Sequence, residues 1–403
     1  MKYYKFTTSL FVILFIQSTI LMAQTYCNDK VLVGAAQFEA YLPMLTGKNV
    51  GIVMNQSSIV GNSLLVDTLL KKGISVKKIF APEHGFRGTA DAGEHLNNAI
   101  DNKTGLPIVS LYGDHRMPSK EDLSDIDIIL FDLQDVGVRF YTYIGTLDYV
   151  MHAAAINNKK VIVLDRPNPN GFYVDGPLPS DKKYSFVCMH NVPVVHGMTV
   201  GEYAKMINGE GWLFQTSVGV LTCDLNVIIC KNYSHKDFYK LPVKPSPNLA
   251  NMRSVYLYPS LCWFEGTPIS LGRGTETPFQ LYGSPLLPLE KFKFKFTPIS
   301  RPGAKTPPCM NQACNGENLT TISESELQQF SGINLSYLYK AYQAYPEQDK
   351  FFSNFFNTLD GGNKLQNQLK DGLSEDEIKK SWNADLVAFK KTRKHYLLYE
   401  DFE

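Results

Sequence analysis

The sequence has almost no excess charge of either sign: its 403 residues contain 40 Lys and Arg against 39 Asp and Glu, a formal net charge of +1. A protein without a basic excess has little with which to neutralise phosphates, so we expect no nucleic-acid partner. Hydrophobic residues (44%) and charged residues (20%) occur in ordinary globular amounts, which excludes disorder, collagen and coiled coil as the main architecture. The length predicts two or three domains.

Long apolar runs are scarce as well. The run at residues 10–16 follows two lysines and is followed at signal-peptidase distance by Ala23. This pattern predicts a cleaved signal peptide over residues 1–23, and therefore an exported protein, periplasmic or secreted. Cys27 raises the alternative of a lipoprotein, but the two residues before it are larger than a lipobox allows, so we expect no lipid anchor. No later segment is apolar enough to predict a membrane helix.

Sequence motifs for common cofactors are missing too. No G-x-G-x-x-G follows the first predicted strand, and no Walker A loop, G-x-S-x-G elbow or H-E-x-x-H occurs. The seven cysteines include no paired C-x-x-C motifs, which argues against structural zinc. We therefore expect no cofactor and no metal. Export would allow disulfides, and Cys309 with Cys314 is the most favourable pair.

What the chain does contain is an alternation of strands and helices. Five strands are predicted, at residues 50–54, 75–81, 106–111, 126–131 and 160–164, most of them mainly apolar. Helical spacing occurs at residues 64–72 and 146–157. Continuous apolar strands separated by helices predict an α/β fold with a mostly parallel, doubly wound sheet.

The second half of the chain is less regular. We predict a helix at residues 199–210, a strand at 221–230, a half-exposed strand at 291–296, a loop at 302–316 and helices at 325–330, 334–345 and 374–399. Three prolines within residues 241–247 predict a domain boundary there. The organisation expected is a catalytic domain at residues 28–245 and a smaller α+β domain at residues 246–403.

Polar side chains follow four of the predicted strands, at the end where ligands bind in open parallel sheets. Turn propensity explains Asp and Asn at such places, but not Gln, Arg or the pair of His84 and Arg87. The sequence therefore predicts a functional cleft. Its first candidates are Glu83, His84, Arg87, Gln134, Asp135, Arg139, Asp165, Arg166 and Asn168.

Acid–base chemistry by carboxyl groups fits this cleft, because the motifs for other chemistries are missing. Glu83 lies between Pro82 and His84 at a strand end, and a partly desolvated carboxyl group is suited to donate a proton near neutral pH. Glycoside cleavage needs such an acid and a second group that manages the oxocarbenium-like charge. The second group is left open between Asp135, Asp165, Glu94 and Glu265. A capping or salt-bridged structural role is the alternative for Glu83.

Other residues are compatible with sugar binding. Arg139 lies among aromatic residues that include Tyr141. These rings could equally be a core residue, Phe140, and tyrosines at the rim of the cleft. His196 precedes a capping box, Thr199 with Glu202, that opens the helix at 199–210. Glu265 and Arg273 flank a glycine-rich loop that could close over a substrate.

Six segments together resemble the NamZ-type exo-β-N-acetylmuramidases: PEHGFRG (82–88), DLQDVGVRFYTY (132–143), DRPNPNG (165–171), HGMTVGE (196–202), SPN (246–248) and EGTPISLGRGT (265–275). The resemblance implies a Rossmann-like N-terminal domain, a smaller C-terminal domain and an active cleft between them. It implies release of terminal N-acetylmuramic acid from the non-reducing end of peptidoglycan fragments, with muropeptides or disaccharides as partners. The catalytic Glu of the family falls on Glu83.

The sites expected on this basis have two roles. We assign catalysis to Glu83, His84 and Asp135. We assign substrate binding to Arg87, Gln134, Arg139, Tyr141, Asp165, Arg166, Asn168, His196, Asn248, Glu265 and Arg273.

N-acetylmuramic acid carries a lactyl carboxylate, which the fork of an arginine can bind. Among Arg87, Arg139 and Arg166, we expect Arg139 to bind it. Two alternatives stay open: a non-catalytic muropeptide-binding protein, and an unrelated isomerase or lyase on the same scaffold.

Overall fold

The structure is a computed structural model that describes residue 26 and residues 31–86, 99–181, 183–213, 215–216 and 219–403. The predicted signal peptide, Cys27, Arg87 and Glu94 lie outside the described residues. Within the described ranges, no helix has the length and apolar character needed to cross a membrane.

A seven-stranded sheet organises the first half of the chain. All neighbouring strands are parallel except the pair at one edge, β3 and β4, and the spatial order is β7-β6-β5-β1-β2-β4-β3. This confirms the predicted mostly parallel α/β fold. The strands are β1 (Asn49–Met54), β2 (Ser75–Ala81), β3 (Ala99–Ile100), β4 (Pro107–Ser110), β5 (Ile128–Asp132), β6 (Lys160–Leu164) and β7 (Asp224–Ile228).

Helices cover both faces of this sheet, which is why its strands are apolar on both sides. Successive side chains of β1 alternate between two cores: Ile52 packs with residues of α1 and α2, and Val53 with residues of α3 and α4. The helices are α1 (Phe38–Leu45), α2 (Leu65–Lys71), α3 (Tyr143–Ile156) and α4 (Val200–Gly209). Thr199 and Glu202 form the predicted capping box of α4.

The second half combines a small antiparallel sheet with helices, as the α+β prediction required. Its sheet has the order β8-β10-β9, made of β8 (Leu281–Ser284), β9 (Phe294–Phe296) and β10 (Cys314–Asn318). The helices are α5 (Met252–Leu261), α6 (Glu324–Phe330), α7 (Ser336–Ala344), α8 (Asn354–Asp360), α9 (Lys364–Lys370), α10 (Glu375–Lys380) and α11 (Asn383–Arg393). The boundary between residues 245 and 246 stays a prediction.

Three expectations for this half were wrong. The helix predicted at 374–399 is divided into α10 and α11, and the Ser381 hydroxyl at the break donates to the carbonyl of Ile378, which competes with helical bonding. The last three residues of the loop predicted at 302–316 belong to β10, which begins at Cys314. The predicted pair Cys309 and Cys314 are both free thiols.

Candidate active site

A cavity of about 430 Å³ opens at the carboxyl ends of the parallel strands. The chain runs from β1 to β2 on one side and later returns to β5 on the other, so the sheet reverses its order between β1 and β5. Such a switch point is where α/β sheets leave room for a ligand. The first half contributes to the lining Glu83, His84, Tyr112, Arg116, residues 140–143 and residues 185–187; the second half contributes Ser246, Leu249, Tyr258, Glu265, Arg273, Phe279, Phe355 and Thr358.

Glu83 enters this cavity from the turn that follows β2. The turn is closed by the Gly85 amide, which donates to the carbonyl of Pro82 over 3.0 Å. His84 has a φ of 68°, a left-handed conformation that side-chain-bearing residues seldom adopt. Backbone strain of this kind is concentrated at functional sites. The Thr142 hydroxyl donates to Glu83 Oε2 over 2.8 Å and so fixes the position of the half-buried carboxyl group.

Glu265 and Arg273 form the opposite, C-terminal wall. Arg273 Nη2 donates to Glu265 Oε1 over 2.6 Å, and the guanidinium lies 5.1 Å from the ring centre of Phe279. Glu265 belongs to a short 3₁₀ helix, Cys262–Gly266, that directly continues α5. Among the described candidates for the second catalytic group, which are Asp135, Asp165 and Glu265, Glu265 is the one that lines the cavity with Glu83.

Aromatic rings join the two walls. Tyr141 contacts Tyr143 edge to face at 4.6 Å between ring centres, and Tyr258 at 6.2 Å. The Tyr141 hydroxyl donates to the carbonyl of Pro245 over 2.7 Å, which ties this ring to the proline-rich segment. The arrangement places aromatic rings beside charged groups, a combination suited to a sugar ring.

Asp135 and Gln134 do not line the cavity. Gln134 Nε2 donates to the carbonyls of Asp135 and Pro167 over 2.9 and 2.8 Å. The Gly137 amide donates to Asp135 Oδ1 over 2.6 Å. Burial raises the pKa of Asp135 to about 7, and backbone hydrogen bonds oppose that rise. Because Asp135 is buried in the loop after β5, the structure does not support it as a group that touches the substrate.

Arg139 was the first expectation for the lactyl carboxylate, and its surroundings contradict that role. The side chain is fully buried. Its Nη1 donates to the carbonyls of Pro177 and Val192 over 2.9 and 2.8 Å, and its Nη2 donates to the carbonyl of Leu359 over 2.8 Å. Arg139 therefore joins three segments of backbone and is not placed to bind substrate.

Arg166 is buried as well and is held by a carboxylate of the sheet itself. Its Nε and Nη2 donate to the two oxygens of Asp132 over 2.6 and 3.0 Å. Such a two-pronged pair satisfies the guanidinium within the protein. Arg166 is thus a structural residue of the loop after β6, and the expected contact with substrate is not supported.

Asp165 organises the start of α4. It accepts hydrogen bonds from the Thr199 hydroxyl over 2.7 Å, from the Gly201 amide over 2.8 Å and from the Tyr399 hydroxyl. Burial raises the pKa of Asp165 to about 6, and these hydrogen bonds oppose the rise. A carboxylate at a helix N-terminus is a stabilising arrangement, so Asp165 serves the fold.

The remaining predicted ligands also have partners within the protein. Asn168 Nδ2 donates to the carbonyl of Met198, and the Met198 amide donates to Nδ1 of the buried His196. Burial and the nearby Arg393 lower the pKa of His196 to about 3. Asn248 Nδ2 donates to the carbonyl of Gly303 and lines a different cavity of about 220 Å³. None of these three side chains belongs to the described lining of the main cavity.

The structure thus brings together five predicted residues: Glu83, His84, Tyr141, Glu265 and Arg273. Sequence reasoning missed Arg116 and Thr142. The search for polar residues after strand ends, which identified Glu83, would also have found Arg116, because Arg116 follows β4 by six residues. No sequence pattern pointed to Thr142 apart from its place in the motif at 132–143. Within the described ranges, no group of three or more His, Cys, Asp or Glu is arranged to hold a metal ion.

Comparison with known proteins decides the family. Residues 50–253 match the family model "Exo-beta-N-acetylmuramidase NamZ, N-terminal", and residues 256–399 match its C-terminal counterpart. The chain belongs to the NamZ family. It is accordingly a glycosidase. The peptidoglycan beta-N-acetylmuramidase NamZ of Bacillus subtilis is 37% identical over 377 residues, which cover 89% of each chain.

Two solved structures share the NamZ architecture. A DUF1343 family protein from Bacteroides fragilis is 48% identical to the chain, with a TM-score of 0.84. A second DUF1343 family protein from the same organism is 26% identical, with a TM-score of 0.76. Each alignment covers 92% of this chain and 99% of the other.

Proposed function

We propose that this NamZ family member is an exo-β-N-acetylmuramidase that removes N-acetylmuramic acid from the non-reducing end of peptidoglycan fragments, with Glu83 as the general acid. The observation that carries the proposal is the position of Glu83: it lies in the cavity at the switch point of the sheet, and the Thr142 hydroxyl holds one of its oxygens. The relative from B. subtilis, named a peptidoglycan beta-N-acetylmuramidase, supports the substrate class, and the family models are named for exo action.

The chemistry follows from what the cavity contains. Glu83 donates its proton to the glycosidic oxygen as the bond to the sugar breaks, so that the leaving group departs as a neutral alcohol. Positive charge then develops on the sugar ring, and a water molecule adds to the anomeric carbon and releases a proton to a carboxylate of the site, which completes the hydrolysis. Glu265, the second carboxylate in the described lining, faces this charge from the C-terminal wall, and its ion pair with Arg273 fixes its position.

The size of the cavity favours action at a chain end. About 430 Å³ is at the small end of the range for ligand pockets and suits a terminal sugar rather than a long stretch of glycan. Tyr141 and Tyr258 line this cavity, where their rings can contact that sugar. Export by the signal peptide at residues 1–23 stays a prediction, and it would bring the enzyme to its substrate.

The test is the variant Glu83→Gln, assayed with an aryl β-N-acetylmuramide and a disaccharide that ends in N-acetylmuramic acid. The amide is nearly isosteric but cannot donate the proton, so kcat should fall by about 10²–10⁴-fold while calorimetric affinity for the disaccharide stays within about threefold. The matched control is Glu290→Gln, because Glu290 is exposed and outside the cavity.

Two results would contradict the proposal. A Glu83→Gln enzyme that keeps more than roughly a tenth of the wild-type kcat would remove Glu83 from the acid role. A wild-type protein that binds the disaccharide without cleaving either substrate would instead be a muropeptide-binding protein.

A further inference from the structure

The charges along the cavity wall are not balanced in pairs. Four described lining residues carry a carboxylate or a guanidinium: Glu83, Glu265, Arg116 and Arg273. Glu265 and Arg273 neutralise each other at 2.6 Å. Arg116 has no ion-pair partner among the residues that the structure describes. A guanidinium that faces a cavity without a protein carboxylate is a candidate to receive an anionic group of the ligand.

The side chain of Arg116 is held so that one end stays available. Its Nε donates to the carbonyl of Gly113 over 2.9 Å. The guanidinium carbon lies 4.6 Å from the ring centre of Phe186, close enough for a cation–π contact that orients its plane. In the described part of the chain, the two Nη atoms have no hydrogen-bond acceptor. These two nitrogens present the parallel donors that match a carboxylate.

The loop that carries Arg116 is fixed at both ends. Gly113 has a φ of 71°, so the chain turns there in a conformation that favours glycine. Beyond Arg116, Asp122 accepts from the Ser119 amide over 2.8 Å and contacts Nε2 of His115 at 2.9 Å. A guanidinium on a loop that is already fixed loses little conformational entropy when it binds a ligand, so more of the interaction energy contributes to affinity.

We propose that Arg116 binds the lactyl carboxylate of N-acetylmuramic acid and thereby selects this sugar over N-acetylglucosamine. The inference rests on the proposed function. N-acetylglucosamine lacks the lactyl group, so it would leave the two Nη atoms of Arg116 without their anionic partner. Rejection by an unpaired group of this kind is stronger than rejection by a missing apolar contact. Arg116 is therefore a residue that determines specificity, and Glu83 performs the chemistry on the same bound sugar.

The experiment compares two substrates that differ only in this charge: an aryl β-N-acetylmuramide with a free lactyl carboxylate, and its lactyl methyl ester. We expect the wild-type enzyme to prefer the free acid. In Arg116→Met, kcat/KM for the acid should fall about ten- to a hundredfold, mainly through KM, while kcat/KM for the ester stays within about twofold. Arg116→Lys should recover part of the preference, because it keeps the charge and loses the fork.

Arg253→Met is the matched control. Arg253 also donates from Nε to a backbone carbonyl, that of Ile322 over 2.7 Å, but it does not line the cavity. This variant should keep the wild-type ratio of acid to ester.

The outcomes separate this inference from the function on which it rests. An acid-to-ester ratio in Arg116→Met equal to that of the wild type would overturn the role of Arg116 while the proposed function stands. An equal loss on both substrates would overturn it too, because the ester has no charge for Arg116 to bind. A wild-type enzyme that cleaves neither substrate would overturn the proposed function, and this inference with it.

Discussion

Polar residues at the carboxyl edge of the sheet have opposite surroundings on its two sides. After β5 and β6, Arg139, Asp165 and Arg166 are buried and bonded to the protein itself. After β2 and β4, Glu83 and Arg116 line the cavity. The residue types and their distance from the strand ends are similar. What differs is whether distant parts of the chain supply partners for them within the protein.

These partners come from far along the sequence. Leu359, whose carbonyl accepts from Arg139, is 220 residues away from it, and Tyr399, which donates to Asp165, is 234 residues away. Such contacts satisfy buried polar groups and let the loops pack tightly. The buried residues Arg139, Asp165 and Arg166 should therefore control stability, and the cavity-lining residues Glu83 and Arg116 should control catalysis and specificity.

The strongest test of this division is Arg166→Met. The change leaves the Asp132 carboxylate buried without its cation, which should lower the free energy of unfolding by about 3–5 kcal/mol in urea denaturation. Arg116→Met removes the same group from the β2–β4 side and should lower that free energy by less than about 0.5 kcal/mol. Adding Asp132→Leu to Arg166→Met should recover part of the loss, since no unpaired charge then remains.

The opposite result would contradict this comparison, with Arg166→Met changing substrate preference and Arg116→Met lowering stability. An Arg166→Met variant with wild-type stability and an altered ratio of acid to ester would place Arg166 among the residues that contact the substrate.

A second test uses the pH dependence of stability at Asp135. Its pKa in the native state is about 7, raised by burial, whereas an unfolded Asp titrates near 4. The native state therefore holds a proton that the unfolded state has released between about pH 4 and pH 7. The contribution of Asp135 to the free energy of unfolding is therefore fully present below about pH 4, and it is lost as the pH rises through 7. Asp135→Asn is neutral throughout and should remove this loss.

Urea denaturation at pH 5 and pH 8 measures the effect. At each pH, the free energy of unfolding of Asp135→Asn is compared with that of the wild type. From pH 5 to pH 8 this difference should change in favour of the variant by about 2–4 kcal/mol. Asp349→Asn, a change at an exposed position, should show no such improvement. Parallel pH profiles of variant and wild type would show that Asp135 is not buried as the structure places it.

The same contrast explains how far the sequence could be interpreted. The strand at 160–164 was predicted with its observed bounds, because a strand buried on both faces of a parallel sheet is a continuous apolar run. The strand at 75–81, which includes Ser75, Lys77 and Lys78, was also predicted with its observed bounds. Helix α5 was missed because Pro259 lies inside it. For the site, local rules located polar residues at strand ends but could not tell Arg139 from Arg116. That distinction depends on Leu359, which no local pattern connects to Arg139.

The smallest effect is expected at Thr142, which follows β5 yet reaches across the edge to Glu83. Thr142 is the N-cap residue of α3, but its hydroxyl makes no capping hydrogen bond and donates to Glu83 instead. Thr142→Val should therefore leave the free energy of unfolding within about 0.5 kcal/mol of the wild type. It should lower kcat by about 2- to 12-fold, the value of a net hydrogen bond of about 0.5–1.5 kcal/mol, with KM within about twofold.

Thr142→Ser is the control, because it keeps the hydroxyl and should retain most of the wild-type kcat. This pair of variants decides whether Thr142 supports catalysis, like Glu83, or stabilises the fold, like Arg166. If Thr142→Val instead destabilised the protein by more than about 1 kcal/mol and both variants kept the wild-type kcat, the hydroxyl would be a helix cap in solution. Thr142 would then join Arg139 and Arg166 as a residue that serves the fold, and Glu83 would be positioned without help from the β5 loop.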